Sequence, residues 1–339
     1  MKRVLLANFA ECPENLHFER AFVRAAAARG FKLDIIHDFD YHYSFLGALP
    51  PPGGKRLKYA GLESLAGCAG PYDLLVLLDF PKRARCAPAF LRLARGKAKK
   101  KIFVANHLLP MPGHNFTADL CRRLKVLGGL DGACVLDFDD AGLWGEMGLA
   151  GERLTGRGYS TDCEYYSPQK VQAGNYVFSA GSAGRDFKAL ASGVKKCGLD
   201  LKIFSDAKEK AGQGLEFLPL AKNLHNLRAA AAGARAVVIP VSDAHINEAA
   251  GNSIAFLAMA LGKPVLTKRT RYMEKFIADG RNGFLYDSLS AASVEAGLKR
   301  ILALGPARRR ALGKAARAAI LAKASLDRFC AAFLEQYVK

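Results

Sequence analysis

The sequence predicts an α/β protein of two Rossmann-like domains followed by a C-terminal helix. Three observations predict it. The chain has 339 residues, half of them hydrophobic, which suffices for a large core and favours two domains over one. Short apolar runs recur with helical or polar segments between them, the pattern of a parallel sheet joined by crossovers. That pattern restarts near residue 170.

In chain order, Val4–Phe9 reads as a first buried strand, Phe18–Arg29 as an amphipathic helix ended by Gly30, and Leu33–His37 as the next strand. Leu74–Leu78, Ile102–Ala105 and Ala133–Leu136 continue the series. After the restart come strand Tyr176–Ala180, a helix over about Asp186–Cys197, and strands Leu201–Phe204 and Ala236–Pro240. Ala307–Leu321 is rich in Ala and Arg, and Ser325–Val338 reads as an amphipathic helix. The expected division is a first domain over residues 1–167, a second over 168–324, and a C-terminal helix over 325–339 that packs back on the first.

Fifty Lys and Arg against 31 Asp and Glu leave a formal charge of +19, which suits polyanions, anionic membrane or negatively charged small molecules. Basic residues cluster at Arg92–Lys101, among other places. A basic helix candidate over Phe90–Arg95 and the lysines that follow could lie on an anionic bilayer. The lysine-rich stretch has no interleaved aromatic residues, which argues against a nucleic-acid-binding protein. Eight cysteines without a Cys-x-x-Cys pair argue against zinc ribbons and redox dithiols. The apolar run after Met1 is too short for a signal peptide and nothing approaches a membrane span, so the expected location is cytoplasmic, peripheral on the inner face of the membrane if the basic clusters dock there.

The most informative stretch is Ala250-Gly251-Asn252-Ser253, which runs into the apolar segment Ile254–Leu261 and closes with Gly262-Lys263-Pro264. It reads as a phosphate-binding turn. Small residues admit a ligand to the backbone, Asn or Ser can cap the helix, and the helix's free amides and dipole favour an anion. Gly262 and Pro264 end the helix, and Val265–Thr267 reads as the following strand.

Three motifs in combination resemble the GT-B glycosyltransferases, specifically the retaining family 4, or group 1, enzymes. The joint Gly158–Pro168 resembles the family's interdomain segment. Tyr176–Gly181 with Arg185-Asp186-Phe187-Lys188 resembles its strand, glycine turn and basic pair for the donor diphosphate. Gly251–Pro264, with Glu274, Ile277 and Asp279–Leu285, resembles its donor-binding helix and turn. The match covers most of residues 158–287. The resemblance implies two Rossmann-like domains with a cleft between them. It also implies transfer of a sugar from a nucleoside-diphosphate sugar to a glycan or lipid-linked acceptor, as in polysaccharide biosynthesis, with retention and with neither metal nor other cofactor. Leu257 stands where the family has an acidic residue on the donor ribose, and Ser182 where relatives often place Arg.

On that basis the catalytic candidates are His107, Arg185, Lys188 and Glu248. The donor-binding candidates are Gly181, Ser182, Asn247, Gly251, Asn252, Ser253 and Glu274. Arg185 and Lys188 suit a departing diphosphate, whose charge grows in the transition state. His107 follows a strand at the carboxyl end where α/β sites collect, and relatives often place a His there facing the sugar. His114 shares its loop, and His245 lies upstream of the anion turn. Asp137–Asp140 reads as a polar helix start rather than a metal site. Two rivals remain open: a GT-B-fold nucleotide-sugar epimerase using the same diphosphate cradle, and the nucleic-acid-binding protein. A dinucleotide oxidoreductase is weaker, because no strand end continues as Gly-x-Gly-x-x-Gly.

Overall fold

The computed structural model describes residues 1–8, 13–37, 55–58, 70–79, 95–107, 113, 116–137, 140–206, 214–220, 224–244, 248 and 250–338. The chain forms two compact units. One draws on the chain up to Tyr159 and on Asp327–Lys339, the other on Ser160–Leu326.

In the first unit the described strands are β1 (Arg3–Asn8), β2 (Lys32–His37), β3 (Lys55–Lys58), β4 (Tyr72–Leu78), β5 (Ala98–Val104), β6 (Gly132–Leu136) and β7 (Leu154–Arg157). They form one parallel sheet in the order β3-β2-β1-β4-β5-β6-β7. Val4–Ala7 and Leu74–Leu78 are buried, as continuous apolar runs in a sheet covered on both faces should be. The helices are α1 (Pro13–Ala28), α2 (Phe116–Arg123) and α3 (Ala141–Glu146).

Helix α1 begins five residues before the expected start at Phe18, with Pro13 as its first residue. The polar residues Asn15, His17 and Glu19 interrupt the apolar period, yet all three are buried. Strand β5 likewise begins at Ala98 rather than Ile102, because its register with β4 runs from Tyr72↔Ala98 to Leu78↔Val104. Residues Ala98–Lys101 are therefore strand. Lys99 pairs with Asp73 at 2.8 Å and the buried Lys101 with Asp131 at 3.1 Å. Phe90–Ala94 lie outside the described residues.

In the second unit the described strands are β8 (Tyr176–Ala180), β9 (Asp200–Phe204), β10 (Leu215–Leu218), β11 (Ala236–Ile239), β12 (Val265–Lys268) and β13 (Phe284–Tyr286). This sheet is also parallel, ordered β10-β9-β8-β11-β12-β13. Its helices are α4 (Phe187–Lys196), α5 (Leu224–Gly233), α6 (Asn252–Ala260), α7 (Arg271–Glu274), α8 (Ala291–Leu302), α9 (Pro306–Lys323) and α10 (Leu326–Tyr337), of which α10 packs in the first unit. Both sheets follow a Rossmann order that reverses beside the first strand, and ligand sites form above the strand ends at such a reversal. The reversals lie between β1 and β4 and between β8 and β11.

Helix α10 meets α1 through aromatic edges, Phe18 with Phe329 at 6.2 Å and Phe22 with Phe333 at 5.5 Å, and through the Arg24–Asp327 ion pair. Arg157, at the end of β7, lies 4.9 Å from the Phe18 ring centroid and 4.5 Å from that of Phe329. Its guanidinium therefore joins the sheet to both helices. The five cysteines among the described residues form no disulfide, and four of them are buried.

In the second unit, glycine at 313 lets two backbones approach closely. A Cβ on Gly313 of α9 would fall 2.2 Å from the carbonyl oxygen of Gly262, just past α6. We expect Gly313→Ala to lower stability by about 2 kcal/mol in chemical denaturation, overpacking outweighing the better helix propensity of Ala. Gly145→Ala, inside α3 and where a Cβ would meet nothing within 4 Å, is the control and should not lower the midpoint. Equal midpoints for both variants would show that the two helices slide apart at little cost.

Candidate functional site

The second unit's site is built where β8 and β11 lie side by side. After β8 the chain turns at Gly181, whose φ is +103°, and after β11 it returns at Gly251, whose φ is +88°. The two turns are tied together: Arg185 and Val241 form an antiparallel bridge, Asp186 N donates to Pro240 O at 3.0 Å, and Ser242 N to Gly184 O at 2.9 Å. The buried Tyr286 hydroxyl accepts from Val241 N at 2.8 Å and donates to Ile239 O at 2.8 Å, holding the irregular end of β11.

Arg185 spans the two turns. Its Nε donates to Ala180 O at 3.3 Å and its Nη1 to Ala183 O at 2.8 Å. Its Nη2 lies 2.7 Å from where a Cβ would sit on Gly181 and 3.5 Å from the same point on Gly251. Glycine at 181 is what leaves room for the guanidinium. Burial pushes this guanidinium down to about 10, still a cation at neutral pH, and no carboxylate pairs with it among the described residues. The structure places Arg185 half-buried between two glycine turns.

Beside Gly251 stands the start of α6. Gly251 is its N-cap and offers no side chain to the free amides. The expectation that Asn252 or Ser253 caps the helix is corrected here, since both lie inside it. The buried Asn252 turns back to donate from Nδ2 to Glu248 O at 2.9 Å, and Ser253 is half-buried in the first turn. The first intrahelical bond runs from Ala255 N to Gly251 O at 2.9 Å. The amides of residues 252–254 thus find no acceptor among the described residues. Leu257 is buried in the core.

The remaining candidates have local partners. Ser182 Oγ lies 3.1 Å from Ser205 Oγ and accepts from Asp206 N at 3.1 Å, joining the loops after β8 and β9. Lys188 is exposed in the first turn of α4, whose N-cap Asp186 accepts from Ala189 N. Glu248 Oε2 accepts from Tyr272 N at 3.2 Å, in the first turn of α7. Glu274 pairs with Arg269 at 3.1 Å, which also holds Asp287 at 2.6 Å. Asn247, His245 and His114 lie outside the described residues. Asp140 accepts from Gly142 N as the N-cap of α3, the helix start expected of that acidic run.

In the first unit His107 follows β5, with its side chain about half exposed at 54%. Its Nδ1 lies 2.8 Å from Oδ2 of Asp79, a residue the sequence reading passed over. Asp79 directly follows the apolar run Leu74–Leu78, so the strand-end rule that singled out His107 applies to it equally. Around it the buried Asn8, Asn15, Glu19 and Asn106 form a connected polar cluster.

Residues 202–335 match the family model described as glycosyl transferase-like. Sucrose-phosphate synthase from Thermosynechococcus elongatus superposes on 99% of this chain and 98% of its own, with 13% identity and a TM-score of 0.66. HepE of Anabaena, solved in complex with UDP-glucose, covers 99% of this chain and 100% of its own, with 14% identity and a TM-score of 0.68. The chain has the GT-B fold of these structures. A glycosyltransferase from Rickettsia africae shares the fold at 12% identity, over 99% of this chain and 98% of its own, with a TM-score of 0.65. No curated protein matches the sequence. The expected two Rossmann-like domains of a GT-B protein are what the two sheets form.

Proposed function

We propose that this chain is a glycosyltransferase that moves a sugar from a nucleoside-diphosphate donor to a glycan or lipid-linked acceptor, with retention and without a metal ion or other cofactor. The observation that carries the donor class is the seat of Arg185. A half-buried cation that pairs with no carboxylate among the described residues stands next to the start of a nine-residue helix that has no side-chain cap. Two positive features side by side repel each other unless an anion lies against them. A diphosphate answers both, and its charge grows as the glycosidic bond breaks, so the same groups stabilise the transition state.

In this reading Gly181, Gly251 and the amides of residues 252–254 surround the diphosphate, Arg185 supplies charge, and Lys188, exposed nearby in sequence, adds a second cation. Ser253, Asn247, Glu248 and Glu274 are proposed for the sugar and nucleoside ends, and His107 for a sugar hydroxyl. The sequence resemblance supports these roles. The bonds of Ser182 and Glu248 within the protein would hold the turns that carry them.

A thermal-shift panel of UDP, GDP, ADP and their sugars tests the reading, because a ligand of the native state raises stability by mass action. At 100 times its Kd a matching diphosphate contributes about 2.7 kcal/mol. No shift with any of them would remove the donor assignment. Turnover of the selected donor should be unchanged by EDTA, and loss of activity on chelation would overturn metal independence. Proton NMR of the product's anomeric carbon distinguishes retention from inversion. A changed nucleotide sugar released without acceptor would favour the epimerase.

The proposed location is the cytoplasmic side, where an anionic membrane surface presents a lipid-linked acceptor. Among the described residues no helix is long and apolar enough to cross a membrane. Ion pairs occupy Lys99 and Lys101, so membrane contact would rest on other basic residues. Co-sedimentation with anionic but not neutral vesicles, weakened by salt, is the expected result. Equal partitioning into both would argue for an acceptor free in solution.

A further inference from the structure

We propose that Asp79 is a positioning residue: by accepting from His107 Nδ1 it holds the imidazole in the tautomer whose Nε2 accepts a hydrogen bond from a hydroxyl of the sugar substrate. The inference rests on the glycosyltransferase reading for its substrate, but not for its tautomer.

The carboxylate of Asp79 is built in from every side. Oδ1 accepts from Asn106 N at 2.8 Å and from His107 N at 3.3 Å. Oδ2 accepts from Asn15 Nδ2 at 3.1 Å and faces His107 Nδ1 at 2.8 Å. Burial by itself would push the carboxyl up, yet the attraction of His107 and these hydrogen bonds outweigh it and hold the group below the usual carboxylate range. An ionised carboxylate only accepts, so the ring nitrogen facing it must carry a proton. In its neutral form the imidazole then has Nε2 as its acceptor and binds a group that donates, as a sugar hydroxyl does.

Two further features show that the arrangement is imposed. Asp79 has φ +59°, a left-handed conformation that costs a non-glycine residue energy, and it is one of two such non-glycine residues among those described. The segment carrying His107 is fixed from the other side by Arg157, whose Nη1 donates to Ala105 O at 2.8 Å. Arg157 is itself buried, and its charge also acts on Asp79. Asn15 is oriented without ambiguity, since its Nδ2 donates to Asp79 and to Asn8 Oδ1 while its Oδ1 accepts from Asn106 Nδ2 at 2.9 Å. Asn8 in turn donates to Glu19 at 2.7 Å.

Two measurements test this. In uniformly 15N-labelled protein, long-range proton–nitrogen correlation spectra should show His107, assigned by its loss in His107→Ala, as the Nδ1–H tautomer. Asp79→Asn, whose amide can donate or accept, should shift it toward Nε2–H. An Nε2–H ring in the wild type would overturn the proposal whether or not the protein transfers sugar. In turnover of the donor chosen by the thermal panel, Asp79→Asn should lower kcat/KM about 10- to 100-fold while UDP affinity stays within about twofold. Removing one sugar hydroxyl from the donor or acceptor should cost the wild type at least about tenfold and cost Asp79→Asn little further. His107→Ala, at a half-exposed side chain, must show the same insensitivity, which keeps the test available if the Asp79 variant folds poorly. Fully additive losses at every hydroxyl would show that Asp79 only supports the fold.

Discussion

Arg185→Ala should abolish measurable diphosphate binding and lower kcat/KM roughly 30- to 1,000-fold, about 2 to 4 kcal/mol of transition-state stabilisation, while leaving the free protein as stable as before or more so. The two halves of this expectation have one cause. The guanidinium is half-buried, burial lowers its pKa, and among the described residues it pairs only with the carbonyls of Ala180 and Ala183. Holding such a charge is unfavourable to the free protein, and an anion reverses the sign. Scanning calorimetry with and without the nucleoside diphosphate that the thermal panel selects reads both parts. The free-protein Tm should hold or rise, and the increment with nucleotide should vanish. A fall in the free-protein Tm with the increment intact would make Arg185 a structural tie between the two turns, and turnover within twofold of wild type would remove it from the site.

Gly251→Val should lower the stability of the protein by about 2 to 5 kcal/mol, in addition to any effect on ligand binding. From the sequence, Gly251 reads as a gap that lets a ligand reach the backbone. The structure gives the residue two earlier reasons to be glycine. Its φ is +88°, where a β-branched residue is strained, and a Cβ there would lie 2.4 Å from Ile239 Cγ2 in the core. The variant should therefore unfold at a lower midpoint even without nucleotide. An unchanged midpoint with lost UDP binding would restore the simpler view that only the ligand needs this glycine.

The second unit was the more legible. Strand Tyr176–Ala180 and the helix between Asp186 and Cys197 were predicted to within a residue, with Asp186 and Cys197 forming its caps. Both are set by local signals: a buried β-rich run, a capping side chain and a clean apolar period. Strands β3, β7, β10 and β13 were not predicted, nor was α5. The four strands are short or mixed in composition, as in Leu154-Thr-Gly-Arg157, and exist because neighbouring strands offer hydrogen bonds to them. Helix α1 and strand β5 were read too short for a related reason. Asn15, Glu19 and Lys101 look like surface residues in sequence but are buried with partners supplied from elsewhere in the fold.

The site divides along the same line. The sequence by itself determined the longer apolar strands, the glycine turns at 181 and 251, and the placement of Arg185 and His107 just beyond strand ends, because these depend on residues near one another along the chain. Only the tertiary structure decided which charges are neutralised and which are not. Lys99, Lys101 and Glu274 meet opposite charges, whereas Arg185 meets two glycine turns and a helix end. Asp79 and His107, 28 residues apart, meet because parallel pairing sets the ends of β4 and β5 side by side. Desolvation and pairing depend on everything that surrounds a group, and for these residues the surroundings come from distant parts of the chain.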